Sequence, residues 1–234
     1  MKRIPMIRAA TILTLAVLMA APTALWAAED VGTMIALKGQ AKVLRAGSDK
    51  AASLNDPIEL NDVVETSAQS RAKILFIDES MLTLRSNSKA SIKEFVYSQE
   101  GGGTSIFNLL EGRMRAVVGK TSFEVHTPTT VAAARGTVIE FVVGVYQGVP
   151  FTTIVCLEGT VEVSSSDPTI SGSVMVGAGT TVTVMQGAPP PEPETTDVPT
   201  NIGETNGDDN GDDTGGDTGG DTVGDAGDDT GGET

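Results

Sequence analysis

Residues Thr127 to Val143, TPTTVAAARGTVIEFVV, are apolar and strand-like apart from one arginine, Arg135, directly before Gly136. Pro128 biases Thr127 toward extended backbone. Val131 to Ala134 are small, and Gly136 permits a sharp turn. The stretch predicts strand, corner, strand, with a cation held at the corner beside Thr137. Such a cation could assist catalysis, clamp a ligand or tie two turns together. An arginine leaving a packed segment needs a partner, because an unpaired buried charge is expensive.

Other reactive residues are few. His126 and Cys156 are the only ones of their types. Together they could form a nucleophile and its base. However, TIVCLEG sets Cys156 in an apolar strand, the usual place of an inert buried thiol, so no catalytic residue is assigned. One histidine and one cysteine make no recognisable metal cluster, and no cofactor is expected. Asp78-Glu79 reads as a solvated turn. Near the C-terminus Asn206, Asp208, Asn210 and Asp217 partly mimic a calcium loop, but the final bidentate glutamate and flanking helices are missing. Charge alone predicts weak Ca²⁺ binding by this tail.

These residues must be positioned by a fold, and the flanks are not part of it. A basic start (Lys2, Arg3, Arg8), an apolar run from Ala9 to Ala21 and small residues at Ala27 and Ala28 read as a signal peptide over residues 1–27. The mature protein is expected in the periplasm or outside the cell, and not as an integral membrane protein. From 28 to 186 the chain has 13 bases and 17 acids, a net of −4, whereas 14 acids and no base follow Gly187. This balance argues against nucleic-acid binding. A single cysteine gives no intrachain disulfide framework.

Between Val31 and Met185 the hydrophobic period is two. Ile74 pairs with Phe76, Leu82 with Leu84, Phe123 with Val125, Val161 with Val163, and Val182 with Val184. These are half-buried strands. TSIFNLLEGR comes nearest to a helical stripe, and it is short. Leu37-Lys38-Gly39, Leu110-Glu111-Gly112 and Leu157-Glu158-Gly159 each precede such a run, predicting a buried leucine, a glycine turn or bulge, then a strand. The reading is an all-β domain over 28–187. Its short stacked antiparallel strands form a β-sandwich or a helix-like β coil. A proline-rich linker (188–205) and a disordered Asp/Gly/Thr-rich acidic tail (206–234) follow.

The run FEVHTPTTVAAARGTVIEFVV followed by VCLEGTVEV resembles the FecR domain family, named for the periplasmic domain of ferric-citrate-type regulators. The matching motifs are Thr127-Pro128, Arg135-Gly136-Thr137 and Glu158-Gly159-Thr160-Val161. IELNDVVETSAQSRAKILFIDESMLTLRSNSKASI fits the family's earlier half. Asn61 and Glu79 stand where glycines are usual. Asn tolerates left-handed backbone but Glu does not, so the turn at Glu79 is expected to differ. The resemblance implies an exported all-β domain from about Gly32 to Gly187. Asp62 and Asp78 lie in the other family-like turns, and a bidentate pair to Arg135 would tie those turns together. A ligand-binding role is the other reading of these residues.

The family's regulators pass a transport signal to a cytoplasmic sigma factor. That needs a cytoplasmic domain and a transmembrane helix, which this sequence does not display, so the resemblance carries the domain rather than the circuit. The first expectation is a non-enzymatic binding or scaffolding module at the cell envelope, its partner an unidentified envelope protein or glycan. The second is a signalling component that senses a ligand and acts on a separate membrane partner. A hydrolase using Cys156 and His126 is the third.

Overall fold

The computed structural model describes residues 30–98, 102–119 and 121–196, and all their regular structure is β strand. The leader, the acidic tail and the calcium candidates Asn206, Asp208, Asn210 and Asp217 lie outside the described residues.

The strands form two open sheets. Sheet A runs, edge to edge, β4 (Pro57–Glu59), β1 (Asp30–Lys38), β6 (Arg71–Phe76), β7 (Met81–Leu84), the second part of β9 (Gly103–Val117), β12 (Val138–Tyr146), β13 (Val149–Glu158), β16 (Thr180–Met185) and β17 (Glu194–Thr195). Sheet B runs β3 (Ser48–Ala51), β2 (Ala41–Arg45), β5 (Val63–Thr66), β8 (Lys89–Tyr97), the first part of β9, β10 (Ser122–His126), β11 (Thr130–Ala134), β14 (Thr160–Ser165) and β15 (Ser173–Gly177). Only β9 belongs to both. Pairing is antiparallel except for β9 with β10. That parallel pair needs a long crossover, and the second part of β9, lying in the other sheet, supplies it.

The alternating runs do what their period predicts. Ile74, Phe76, Leu82, Leu84, Phe123 and Val125 are buried, and Lys73, Thr83 and Arg85 face outward. One apolar core lies between the sheets. Phe76 of sheet A meets two rings of sheet B, Phe95 at 5.5 Å and Phe107 at 5.1 Å between centroids, and Phe107 meets Phe123 at 5.1 Å. Burying each such ring contributes roughly 1.5–3 kcal/mol.

The chain repeatedly changes sheet, so sandwich and coil describe the same path. Residues at positive φ mark these crossings: Gly39, Asn61, Gln69, Asn87, Gly112, Gly136, Gly159 and Gly179. The glycines of the three Leu-x-Gly motifs are therefore crossings. Their leucines are not fully buried: Leu37, opposite Ala72, packs partly covered against the core, whereas Leu157 and the 44% exposed Leu110 lie on outer faces just before the bend. TSIFNLLEGR is the body of β9, with Phe107 and Leu109 inward. The fold also runs past Gly187 into the expected linker. Thr180 and Thr181 pair with Thr195 and Glu194, and the Thr196 N–H donates to the Gly179 carbonyl at 3.0 Å.

The turn at Glu79 keeps the glycine-like conformation, with φ of 69°, and Asn61 has 68°. The backbone around Glu79 is held by Asp78, so the side chain bears the strain. Glu79→Gly should stabilise the domain by about 0.5–1 kcal/mol, the left-handed strain less glycine's added chain entropy. A thermal melt checks this; a lower Tm would mean that contacts of the Glu79 side chain outweigh its strain.

Candidate functional site

The sequence candidates resolve into four turns. Asp62, fully buried, lies at the crossing from β4 to β5. Arg45 Nε donates to its Oδ1 at 2.8 Å and Arg45 Nη2 to its Oδ2 at 2.6 Å, a bidentate pair. The Glu59 N–H donates to the same Oδ2 at 2.8 Å. Arg45 also donates to the Pro57 carbonyl at 3.0 Å and pairs with the Glu59 carboxylate. Hydrogen bonding to Asp62, set against partial burial, raises the Arg45 pKa above its ordinary value.

Asp78 is also fully buried, and hydroxyl and amide donors serve it instead of a cation. The Ser80 N–H donates to Oδ1 at 3.0 Å, while the Ser80 and Thr121 hydroxyls donate to Oδ2 at 2.9 and 2.6 Å. Ser80 Oγ in turn accepts the Gly119 N–H at 2.8 Å. This polar cluster pins the β6–β7 hairpin to the chain leaving β9. It is not the solvated turn expected of Asp78-Glu79.

The pair expected between Arg135 and Asp62 or Asp78 does not form. Both carboxylates are satisfied elsewhere, and Arg135 is exposed, with no ion pair or hydrogen bond among the described residues. The corner is built by its neighbours. Gly136 takes φ of 60° in open space. Thr137 is buried, and its carbonyl accepts the Val118 N–H at 2.8 Å. A Cβ added at Gly159 would lie 2.6 Å from the Thr137 methyl, so the Arg-Gly-Thr and Glu-Gly-Thr-Val turns pack directly together. Arg135→Ala is accordingly expected to leave stability within about 0.5 kcal/mol. A clear loss of Tm would restore a structural role for its side chain.

Thr127 organises the Thr-Pro turn. Its hydroxyl accepts the Thr130 N–H at 2.9 Å and lies 2.9 Å from the Thr130 hydroxyl and 2.8 Å from that of Thr152 on β13. Neighbouring His126 places Nε2 3.2 Å from Glu124 Oε1 in sheet B. In sheet A, the Cys156 thiol points at the carbonyls of Glu158 and Gly159, at 3.5 and 3.4 Å, and burial pushes its pKa up. No hydrogen bond joins these two residues. Among the described residues no group of three His, Cys, Asp or Glu side chains is arranged to hold a metal.

The four turns span the segment that matches the family model described as FecR protein, residues 62–162. That segment is a FecR domain. The match is narrower than the resemblance read from sequence, leaving β1 to β4 and β15 to β17 outside it. No curated protein matches the chain. Similar solved structures include two crystal structures, at 2.50 and 1.65 Å resolution, of a protein from Parabacteroides distasonis described as a proposed anti-sigma factor. They align with TM-scores of 0.46 and 0.44 and sequence identities of 14% and 13%, each covering 58% of this chain and 60% of the other.

The body has one further feature, on the outer face of sheet A, formed by the FecR segment together with β1. Lys38 stands opposite Arg71 across β1 and β6. The Ala72–Leu84 register then sets Arg71 beside Arg85, and the Arg85 N–H donates to the Arg113 carbonyl at 3.0 Å. Four cations thus form one row across four neighbouring strands. The next row holds Lys73, Thr83, Arg115 and Glu140. Glu140 is the acid that reaches these cations, at 3.6 Å from Arg85 and 3.9 Å from Arg115. The sequence signal was present in Arg71-x-Lys73 and Arg113-x-Arg115, where period two puts both side chains on one face.

Proposed function

We propose that this chain is an exported, non-enzymatic FecR-domain protein that binds a partner at the cell envelope, in the periplasm or beyond it. The FecR match supports a role connected with envelope signalling. The observation that carries the binding reading is the use of the motif residues as framework. Asp62, Asp78, Thr127, Thr137 and Gly159 hold turns and crossings, which leaves the outer faces of a rigid two-sheet body as recognition surface. The β17 pairing means that the folded unit extends to Thr196.

The test is retention of an envelope component by the full mature chain and by a chain ending after Thr196, each with and without Ca²⁺. Retention by both, independent of Ca²⁺, is the expected result and places recognition on the β surface. Retention only by the longer chain with Ca²⁺ would move the function to the acidic repeats and overturn the reading. A saturable small ligand together with a membrane partner would favour the second reading, a component that senses a ligand and acts on that partner.

A further inference from the structure

Arg71, Arg85 and Arg113, together with Ser70 and Ser86, line a shallow cleft of about 370 Å³ on the outer face of sheet A. Like charges directly opposite each other in a sheet are destabilising, yet here four cations follow one another at the strand spacing of about 4.8 Å. The other sheet pairs its cations with carboxylates, Lys93 apart. Lys42 and Lys89 share Glu65, Lys50 meets Asp56, and Arg45 holds Glu59 and Asp62. In the row on sheet A, Lys38, Arg71 and Arg113 have no carboxylate partner among the described residues, and Arg85 has only the distant Glu140. The body as a whole is mildly acidic, with 13 bases against 17 acids from 28 to 186. The row is thus a local reversal of sign.

The donors of the cleft are its arginines. The Ser70 hydroxyl donates to the Ala68 carbonyl at 3.0 Å and the Ser86 hydroxyl to the Ser70 carbonyl at 3.3 Å, so both hydroxyl protons are engaged. Each guanidinium presents five N–H donors in a planar fork. A carboxylate has two oxygens and is satisfied by one such fork. Three forks in a line suit a group with more acceptor oxygens and more charge, and the phosphoryl group has both. A row about 14 Å long at that strand spacing suits several linked phosphoryl groups better than one.

We propose that the Lys38–Arg71–Arg85–Arg113 row is a binding site for a polyphosphoryl anion. This rests on the binding-module reading and gives its surface a ligand chemistry. The cations are held in register by the ladders of β1, β6, β7 and β9, so the site is formed before the ligand arrives. Binding relieves the like-charge repulsion in the row and therefore stabilises the folded chain.

Calorimetric titration of the full chain with tripolyphosphate at low salt tests the proposal. The expected result is saturable binding, tighter than that of inorganic phosphate, and a Tm that rises with ligand. The double variant Arg71→Gln, Arg113→Gln should melt no lower than the parent and lose at least tenfold in affinity. Lys93→Gln, an exposed cation on β8, should bind as the parent does. Vesicles of phosphatidylglycerol, compared with phosphatidylcholine, identify the source. Cosedimentation that depends on Arg71 and Arg113, alongside tripolyphosphate binding, extends the site to headgroups, whereas cosedimentation without tripolyphosphate binding overturns the polyphosphoryl assignment.

Absence of binding to either probe overturns the proposal, as does equal loss in the Lys93→Gln variant. A chain that binds neither probe but still retains an envelope partner loses only the phosphoryl site. The binding-module reading fails separately, when no partner is retained.

Discussion

Arg45→Ala should lower the unfolding free energy by about 3–5 kcal/mol, because it leaves the fully buried Asp62 carboxylate without its cation. That is a large fraction of the 5–15 kcal/mol that typically separates folded from unfolded domains. One hydrogen bond would survive, from the Glu59 N–H, and Glu59 would lose its own partner as well. The crossing from β4 to β5 would then have to open far enough to hydrate Asp62. Urea unfolding of the parent and the variant gives the comparison. Lys42→Ala, which breaks an exposed pair with Asp49 and Glu65, should shift the midpoint far less. A loss below about 1 kcal/mol for Arg45→Ala would place the pair among ordinary surface ion pairs and remove its structural role.

Gly112→Ala comes second in expected cost. β9 turns from sheet B into sheet A at this residue, with φ of 89°. An added Cβ would lie 2.5 Å from the Asn87 carbonyl oxygen and 2.5 Å from Ser88 Cα, both backbone atoms. Left-handed strain of about 1–2 kcal/mol and overpacking of about 1–3 kcal/mol act together. Gly148→Ala separates the two effects. Gly148 also has positive φ, at 82°, but a Cβ there meets nothing within 4 Å, so only the strain applies. Denaturation midpoints should rank parent, Gly148→Ala, Gly112→Ala. Equal losses in the two variants would mean that the corner is not crowded and that strands can change sheet there without a glycine.

Local chemistry made much of this fold readable. Val161 with Val163 and Val182 with Val184 point inward because period two admits only that arrangement. Gly39, Gly112 and Gly159 adopt positive φ as their motifs require. The purpose of those turns was not readable, since changing sheet is a relation between strands distant in sequence. The same limit explains the mistaken pair. Asp62 needed a cation, but Arg45 and Arg135 are equal claimants until β2 is seen against β5. Asp78 shows a different limit: a buried carboxylate can be satisfied by Ser80 and Thr121 with no cation among the described residues. Half of the arginine row was legible in i, i+2 pairs, Arg71 with Lys73 and Arg113 with Arg115. Its continuity across β1, β6, β7 and β9 depends on register, which the sequence leaves open.

β9 has a consequence for how the chain reaches this state. Its fifteen residues gain their native neighbours from both directions: β7 and β8 before them, β10 and β12 after them. As the polypeptide emerges from N-terminus to C-terminus, this strand must wait for His126 to fill the free edge of its first part and for Val143 to fill that of its second. Until β10 arrives, Ser105-Ile106-Phe107-Asn108 presents unpaired amides beside an apolar run, a template for pairing with another chain. Pairings so far apart in sequence form late, on the millisecond-to-second scale of non-local β topologies. The segment that joins the two sheets is therefore completed in two stages, and a holding chaperone would find a target in its first part until His126 has emerged.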